Sequence, residues 1–190
     1  MGHDDLGGPV RLSILICHLP SRKDSFKRLR DQLAPQIDRP DVEVLTDNND
    51  GSVGVKRQRL LERATGEFVA YIDDDDRIAS DYVERIICAL VGRGNADCCS
   101  LRGVITTDGI DPRPFVHSIT HRVWYEEDGV YYRPPNHLNP IKREHALKVG
   151  FPDSSHGEDR VYSEGVLQYL KNEADTGPEP LYFYDYVGGK

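Results

Sequence analysis

Short apolar runs and amphipathic segments alternate through the N-terminal half of the chain. Residues 12–17 (LSILIC) are almost entirely apolar, which is typical of a buried strand. Residues 42–46 (VEVLT) alternate apolar and polar positions and predict a second strand before the turn-rich sequence DNNDGS. Residues 68–72 (FVAYI) predict a third strand.

Each predicted strand is followed by a segment with helical spacing. The first has apolar residues three and four positions apart and ends at Pro35. The second covers residues 55–64, with its apolar side chains on one face, and Gly66 closes it. The third begins at Ser80 or Asp81 and carries a stripe with i, i+3, i+4, i+7, i+8 spacing. The residues of this stripe are Val83, Ile86, Ile87, Leu90 and Val91.

This order of elements predicts a parallel sheet whose right-handed crossovers place helices on both faces. From Asp97 onward the pattern changes to strand-like segments with short turns, CSLRGVITTDG, HRVWYEEDG and VYYRP, which predict a more antiparallel region. A helix near residues 159–171 and an aromatic strand, LYFYDY, follow. We expect one α/β domain over residues 1–190.

The composition fits this expectation. A chain of 190 residues that is 38% hydrophobic is long enough for one core and short for two. The formal net charge of -8 argues against a broad electrostatic grip on nucleic acid or anionic lipid, although 24 Lys and Arg residues allow a local basic cleft. No run approaches the ~20 apolar residues of a membrane-spanning helix, and the N-terminus lacks a secretory signal pattern. We therefore expect a cytoplasmic protein without membrane insertion, and MGHDDLGG is interpreted as a flexible lead-in.

The four cysteines show no C-x-x-C spacing. Cys98 and Cys99 are neighbours whose side chains would point to opposite faces of a strand. Buried, reduced thiols are expected in preference to disulfides or a zinc site.

Polar clusters directly follow all three predicted strands. They are HLPSR at residues 18–22, DNNDGS at 47–52 and DDDD at 73–76. In an open parallel sheet ligands bind beyond the carboxyl ends of the strands, so these clusters are expected to converge. Carboxylate oxygens suit Mg²⁺ or Mn²⁺, and extended backbone would place Asp73 and Asp75 on one side with Asp74 facing away. The competing interpretation is a solvated acidic loop in which Asp76 or Ser80 caps the next helix.

The run GVKRQRLLERATGEFVAYIDDDD, residues 54–76, resembles the inverting family 2 glycosyltransferases of the GT-A fold. Their recurrent pattern is G-x-A-R-N-x-G, a helix, and A-x-G-x-(Y/F)-(I/V)-x-(F/Y)-(L/I)-D-x-D-D, from which Lys56, Gln58 and Leu60 depart. LSILICHLPSR is similar to the family's opening strand and nucleotide loop, and PIKREHALKVGFPDSSHGEDRVYSEGVL to its acceptor-side segment. The resemblance implies a Rossmann-like α/β fold: a central, mostly parallel sheet flanked by helices, with a smaller mixed or antiparallel region. Residues 11–96 would form the nucleotide-binding half and residues 97–190 the acceptor-side half.

The resemblance also implies how the donor is held. Asp47 would hydrogen-bond the base, usually uracil, and Asp73 would hold the ribose. Arg57 or Arg22 would help to neutralise the departing diphosphate. The full donor-binding set is Pro20, Arg22, Asp47, Arg57, Asp73 and Asp74.

Metal and base positions are implied in the same way. Asp75 would bind Mn²⁺ or Mg²⁺ with Asp76 in support, and His156 is either a further ligand or a loop histidine lining the acceptor site. Asp159 occupies the position of the family's general base, and Glu158 is its partner or its competitor. The metal would offset charge on the leaving group while the base deprotonates the acceptor hydroxyl, and attack from the opposite face inverts configuration.

Three further residues are candidates for contacts with the sugar or the acceptor. Asn136 and His137 lie in the insertion PPNHLNP, which is alternatively a proline-fixed turn with His137 satisfied by backbone. Trp124, the only tryptophan, either offers a stacking face or packs in the core.

Together these features predict a metal-dependent glycosyltransferase that moves a sugar from a nucleoside diphosphate donor, with UDP expected, to an acceptor hydroxyl. The acceptor would be a glycan, a small molecule or a modified DNA base. The short chain and its HLNP segment also resemble glycosyltransferase-like proteins of phages and other viruses, which would act in the cytoplasm of a bacterium or an infected host. The alternatives are a nucleotide-sugar or divalent-ion binding module without turnover, and a sugar-phosphate nucleotidyltransferase, whose usual Gly-rich loop is missing from HLPSRKD.

Overall fold

The computed structural model describes residues 11–186, so the lead-in MGHDDLGG lies outside the described residues. Within them the chain forms twelve strands and five α-helices. The strands are β1 (Leu12–Cys17), β2 (Val42–Asp47), β3 (Phe68–Tyr71), β4 (Arg77–Ile78), β5 (Cys98–Cys99), β6 (Leu101–Thr107), β7 (Ile110–His117), β8 (Tyr125–Glu127), β9 (Val130–Arg133), β10 (Ile141–Lys142), β11 (Glu173–Ala174) and β12 (Tyr182–Tyr186). The helices are α1 (Lys23–Leu33), α2 (Val53–Arg63), α3 (Tyr82–Arg93), α4 (Arg143–Val149) and α5 (Glu158–Val166).

The strands form two six-stranded sheets, with the orders β11-β5-β10-β3-β1-β2 and β4-β12-β6-β7-β9-β8. In the first sheet β1 pairs in parallel with both β2 and β3. Only β10 runs against its neighbours β3 and β5, while β11 is parallel to β5. The predicted mostly parallel central sheet is therefore confirmed.

The first sheet is buried on both faces. Phe68, Ala70 and Ile72 pack in one apolar cluster with residues of α1 and α3. Val69 and Tyr71 pack in a second cluster with residues of α2, α4 and α5. Because both faces are covered, β3 needs apolar residues at every position, and its sequence shows no alternation.

The cysteines are free thiols. Cys98 and Cys99 are buried and enter opposite clusters, as predicted for neighbours on a strand. Cys88 on α3 is exposed, so the expected burial is wrong for this residue. No helix within residues 11–186 is long and apolar enough to cross a membrane.

Two details of the predicted helices are wrong. Val91 is 61% exposed, because at 3.6 residues per turn it lies at the edge of the α3 stripe. Gly66 does not close α2, because the backbone at Ala64 is already extended. Gly66 instead passes close to β1: its N–H donates to Ser13 Oγ at 2.8 Å, and a Cβ would lie 2.6 Å from the same oxygen.

The second sheet is mixed. β6 is antiparallel to β7 but parallel to β12, and β7 is parallel to β9. The sequence pattern does not reveal β7, because Pro112 and Pro114 interrupt it, nor does it reveal the short helix α4. The helix predicted at residues 159–171 ends at Val166 and continues as a 3-10 turn, Leu167–Tyr169.

Candidate active site

The four aspartates after β3 do not form a solvated loop. Asp74 and Asp76 are 1% and 0% exposed. The side chains of Asp73 and Asp75 keep 29% and 24% of their exposure. This alternation agrees with the predicted orientation, in which Asp74 faces away from Asp73 and Asp75. The buried carboxylates need internal partners, because a charge removed from water is costly unless it is paired and hydrogen-bonded.

The segment after β1 supplies the partners of Asp74. The N–H of Leu19 donates to Oδ2 at 2.7 Å, and Arg22 Nη1 donates to Oδ1 at 2.9 Å. His18 Nδ1 lies 3.1 Å from Oδ2. Pro20 begins the short 3-10 turn that carries Arg22, and its own side chain is exposed. The first and third polar clusters therefore converge as predicted.

Asp75 shares Arg22 with its neighbour. Arg22 Nη1 lies 2.9 Å from Asp75 Oδ1, so one guanidinium bridges two carboxylates. Burial raises the pKa of Asp75, and the charges of Asp73 and Asp74 add to this effect, while Arg22 opposes it. Asp75 is thus a partly exposed carboxylate whose neighbours carry more negative than positive charge.

Asp73 is held by Arg57 and His137. Arg57 Nη2 donates to Oδ1 at 3.0 Å, and His137 Nε2 lies 3.6 Å from Oδ2. Burial alone would raise the pKa of Asp73, but Arg57 and His137 outweigh it and hold that pKa well below its usual range. Asp73 is therefore ionised and oriented.

Asp76 has no cationic partner among its hydrogen bonds. The hydroxyl of Tyr182 donates to Oδ2 at 2.7 Å, and the N–H of Asp185 donates to Oδ1 at 3.2 Å. Tyr182 also accepts the N–H of Asp73 at 3.1 Å. Burial raises the pKa of Asp76 well above its ordinary value, and the charge of Asp73 adds to the effect. Asp76 ties the acidic run to β12.

Asp47, at the end of β2, is paired with Arg59 of α2. Arg59 Nε donates to Oδ2 at 2.7 Å and Nη2 to Oδ1 at 3.2 Å, while the N–H of Asn49 donates to Oδ1 at 2.8 Å. Burial would raise the pKa of Asp47, yet these bonds lower it. A nucleobase that hydrogen-bonds Asp47 would therefore share its carboxylate with Arg59. The family motif does not reveal this arginine.

Glu158 and Asp159, at the start of α5, have different surroundings. Glu158 is buried, and Arg57 Nη1 donates to its Oε1 at 2.6 Å. Arg57 is itself only 4% exposed, so it links Glu158 to Asp73 beneath the site instead of projecting toward a diphosphate. Asp159 is partly exposed and accepts the N–H of Arg160 at 2.8 Å, and no cationic side chain of residues 11–186 lies within 4 Å of it.

A cavity of about 580 Å³ lies between the second sheet, the loop at 136–138 and the segment at 155–159. Asp73, His137, His156 and Asp159 all line it. The expected ribose-binding aspartate and the expected general base therefore share one cavity. Its volume is within the usual range for small-molecule sites.

The second sheet supplies an aromatic wall with one cation. The guanidinium carbon of Arg133 lies 4.3 Å from the Trp124 ring centroid and 5.8 Å from that of Tyr131. Trp124 is 39% exposed and lines the cavity, so the interpretation as a core residue is wrong. Tyr184 lies on the same wall, where burial raises its pKa to about 12, with Asp73 adding and Arg133 opposing. VYYRP contained Arg133, but only the tertiary contacts show that it faces the cavity.

The loop with Asn136 and His137 combines both predicted interpretations. Asn136 Oδ1 accepts the N–H of Leu138 at 3.0 Å, and Asn139 Oδ1 accepts the N–H of Asn136 at 3.0 Å, as in a fixed turn. The His137 ring is not satisfied by backbone, because its Nε2 contacts Arg57 Nη2 at 2.9 Å. Within the described residues its Nδ1 has no partner.

The three predicted metal ligands do not form a ready cation site. Among residues 11–186, no group of three or more His, Cys, Asp or Glu side chains is placed to hold a metal ion. Both oxygens of Asp76 are engaged by β12, and His156 lies on an exposed loop. The remaining donor is Asp75. One carboxylate suits Mg²⁺ or Mn²⁺, because these ions commonly take their other ligands from phosphate and water.

Solved structures share the fold of this chain, and together with the family match given below they confirm the expected GT-A fold. S. aureus TarS 1-349 has a TM-score of 0.65 at 14% identity, over 93% of this chain and 60% of that chain. Its complex with UDP-GlcNAc has a TM-score of 0.62 at 13% identity, over 95% and 60%. Mannosyltransferase PcManGT from Pyrobaculum calidifontis, in complex with GDP-Man and Mn²⁺, has a TM-score of 0.55 at 13% identity, over 93% and 58%. This chain thus spans about three fifths of the length of the chains in these structures.

The sequence itself matches glycosyl transferase family 2 over residues 14–153. The protein therefore belongs to glycosyl transferase family 2, as its motif at residues 54–76 predicted. No curated protein gives a significant sequence match.

Proposed function

We propose that this chain transfers a sugar from a nucleoside diphosphate donor, with UDP expected, to an acceptor hydroxyl with inversion. The observation that carries the proposal is that Asp73 and Asp159 line one cavity of about 580 Å³. A donor sugar held beside Asp73 would present its anomeric carbon to a hydroxyl beside Asp159. On this proposal residues 11–96 supply most of the donor contacts and residues 97–190 the acceptor contacts.

Asp159 is assigned as the general base. Its carboxylate is partly exposed to the cavity and, within the described residues, has no cation within 4 Å, so it is available to accept a proton. Glu158 is a poorer base, because it is buried and bonded to Arg57 at 2.6 Å. An acceptor hydroxyl deprotonated by Asp159 would attack the face of the sugar opposite the leaving diphosphate, which inverts configuration.

The donor side depends on carboxylates that are already oriented. Asp73, which Arg57 and His137 hold in place, would accept hydrogen bonds from the ribose hydroxyls. Asp47, which is paired with Arg59, would accept a hydrogen bond from the nucleobase. Asp74 would act through Arg22, which it positions. Arg22 is the better candidate to meet the diphosphate, because Arg57 is 4% exposed and both of its Nη atoms already donate to carboxylates of the protein.

Mn²⁺ or Mg²⁺ would fit at Asp75, whose raised pKa reflects burial and neighbouring negative charge. A bound ion would supply charge compensation for the leaving diphosphate. Asp76 would support this position indirectly, because its carboxylate anchors the acidic run to β12, and His156 would line the acceptor side of the cavity.

The test is a thermal-shift panel of UDP- and GDP-sugars with and without Mn²⁺. A ligand that binds only the native state raises the melting temperature. At 100 times its Kd it adds about 2.7 kcal/mol to the free energy of unfolding. We expect a rise with nucleotide sugars that is larger when Mn²⁺ is present. A panel in which no nucleotide sugar shifts the melting temperature would contradict the proposal.

Asp75→Ala sharpens this test. The variant should keep its fold, because Asp75 is at the exposed side of the run, but it should lose the extra shift that Mn²⁺ gives to UDP. Asp31→Ala is the matched control, since Asp31 is exposed and pairs only with Lys27. Equal Mn²⁺ dependence in both variants would remove Asp75 from the metal site.

A further inference from the structure

Arg133, the last residue of β9, is a partly buried cation without a polar partner for its guanidinium in residues 11–186. Its recorded side-chain contacts are with the rings of Trp124 and Tyr131. Every other buried or half-buried arginine in these residues donates at least one hydrogen bond. Burial lowers the pKa of Arg133, and Asp159 is the strongest opposing charge. The surroundings therefore disfavour this cation unless an anion joins it.

The orientation of Arg133 leaves its donors available. Its guanidinium lies 4.3 Å from the centroid of Trp124, a distance that corresponds to stacking on the ring face. Stacking uses the flat face of the guanidinium, while the five N–H donors lie in its plane. Arg133 lines the cavity, so those donors border the same space as Asp159.

The position of Arg133 separates it from the expected phosphates of the donor. Arg22 and Asp75 are paired with each other and do not line the cavity, whereas Arg133 and Asp159 both do. Tyr184 lines the cavity together with Asp73 and Arg133, and the charges of both act on its hydroxyl. An anion on Arg133 would therefore lie on the acceptor side.

We propose that Arg133 binds an anionic group of the acceptor, a phosphate ester or a carboxylate, next to the hydroxyl that Asp159 deprotonates. This assignment rests on the proposed transfer reaction. The other cavity cation, Arg57, is already shared by Asp73 and Glu158, so Arg133 is the residue that can offset a new negative charge. A planar guanidinium binds two oxygens of such a group side by side.

Tryptophan fluorescence provides a direct test, because Trp124 is the only tryptophan and lies against Arg133. The full chain is titrated with glycerol 1-phosphate, with glycerate and with glycerol. We expect a saturable change with at least one anion and none with glycerol, and the tighter of the two anions identifies the class. Arg133→Gln should weaken anion binding about tenfold or more, the effect of a lost charge-assisted hydrogen bond, and Arg133→Lys less. Arg93→Gln, at the exposed end of α3, controls for the lost charge and should bind as the unaltered chain does.

The source of the anion is decided by repeating the titration with saturating UDP. Unchanged affinity for the anion places it on the acceptor and supports the inference. Displacement by UDP would assign Arg133 to the donor diphosphate and overturn it. Absent anion binding, equal binding of glycerol, or an Arg133→Gln variant that binds normally would also overturn it. UDP binding is measured separately by thermal shift, so its loss would sink the proposed transfer, while failed anion binding with intact UDP binding would sink only this inference.

Discussion

The carboxyl end of the first sheet and the aromatic wall of the second sheet treat charge in opposite ways. At the first sheet, Asp47, Asp73 and Asp74 each bond an arginine of the chain itself. On the cavity side of the second sheet, Arg133 and Asp159 have no ion-pair partner within 4 Å in the described residues. Both regions are partly removed from water, so the difference is one of pairing and not of burial alone.

The comparison distinguishes charges that the protein already pairs from charges that only a ligand or a proton can still pair. A paired carboxylate is fixed in direction and stays ionised, which suits the recognition of hydroxyl groups. An unpaired charge can still form an ion pair with a ligand or, in a carboxylate, accept a proton.

Replacing the unpaired carboxylate should stop the chemistry. Asp159→Asn removes the proton acceptor, and we expect release of UDP from a UDP-sugar to fall about 10²- to 10⁴-fold, the usual contribution of a general base. Thermal shifts with UDP should stay unchanged, since Asp159 is not a donor contact. Asp153→Asn, on an exposed position that accepts a bond from Ser52, is the control. An active Asp159→Asn chain would move the base to Glu158 or elsewhere.

Breaking a paired charge should instead affect stability. Arg57→Gln leaves Asp73 and Glu158 without their shared cation, and removal of one partner of a buried pair costs about 3–5 kcal/mol. Urea unfolding measures the loss. Arg63→Gln, on the same helix but exposed and donating one long bond of 3.4 Å, should change stability by less than about 0.5 kcal/mol.

The double variant Arg57→Met, Glu158→Met separates the lost pair from lost packing. Because it removes Glu158 together with Arg57, only Asp73 is left without its cation, and the variant should recover part of the stability that Arg57→Gln loses. A double variant less stable than Arg57→Gln would mean that the two side chains contribute to stability mainly through packing.

The wall of the second sheet should give the smallest effect, a change in pH dependence. Burial lowers the pKa of His117 to about 3, and the neighbouring charge of Arg133 adds to this. The unfolded chain binds the proton near pH 6.5, so stability is fully present above about pH 6.5 and falls as the pH drops toward about 3. The slope from this group is at most about 1.4 kcal/mol per pH unit.

His117→Gln removes that titration while keeping a donor for Asn139. Urea unfolding between about pH 7 and pH 5 should therefore show a shallower loss of stability in the variant than in the unaltered chain. Parallel profiles would show that the pKa of His117 is not lowered in the folded state and that water reaches this wall.

The elements that sequence could predict are those with strong local patterns. β1, β3 and α3 are apolar at the period of a buried strand or of a helix, so their positions follow from neighbouring residues. β7 contains Pro112 and Pro114 and is held by pairing with β6 and β9, so nothing local marks it as a strand. Val91 fitted the α3 stripe but faces solvent, because spacing fixes a direction and not what covers it.

The candidate site divides in the same manner. The acidic run and the Glu158-Asp159 pair are recognisable because each motif is continuous in the chain. Their partners are not, since Arg57 is 101 residues from Glu158 and Tyr182 is 106 residues from Asp76. The family pattern marks Arg57 but does not show that it faces inward, and nothing in VYYRP distinguishes Arg133 from a surface arginine.

The bond between Tyr182 and Asp76 also bears on how the protein is made. The ribosome releases the acidic run 106 residues before the tyrosine that closes it. During that interval the first parallel strands can already pair, while Asp76 and the N–H of Asp73 still await β12. Asp73 and Asp76 therefore receive their full set of hydrogen bonds only after translation reaches β12, later than β1, β2 and β3 become available for pairing.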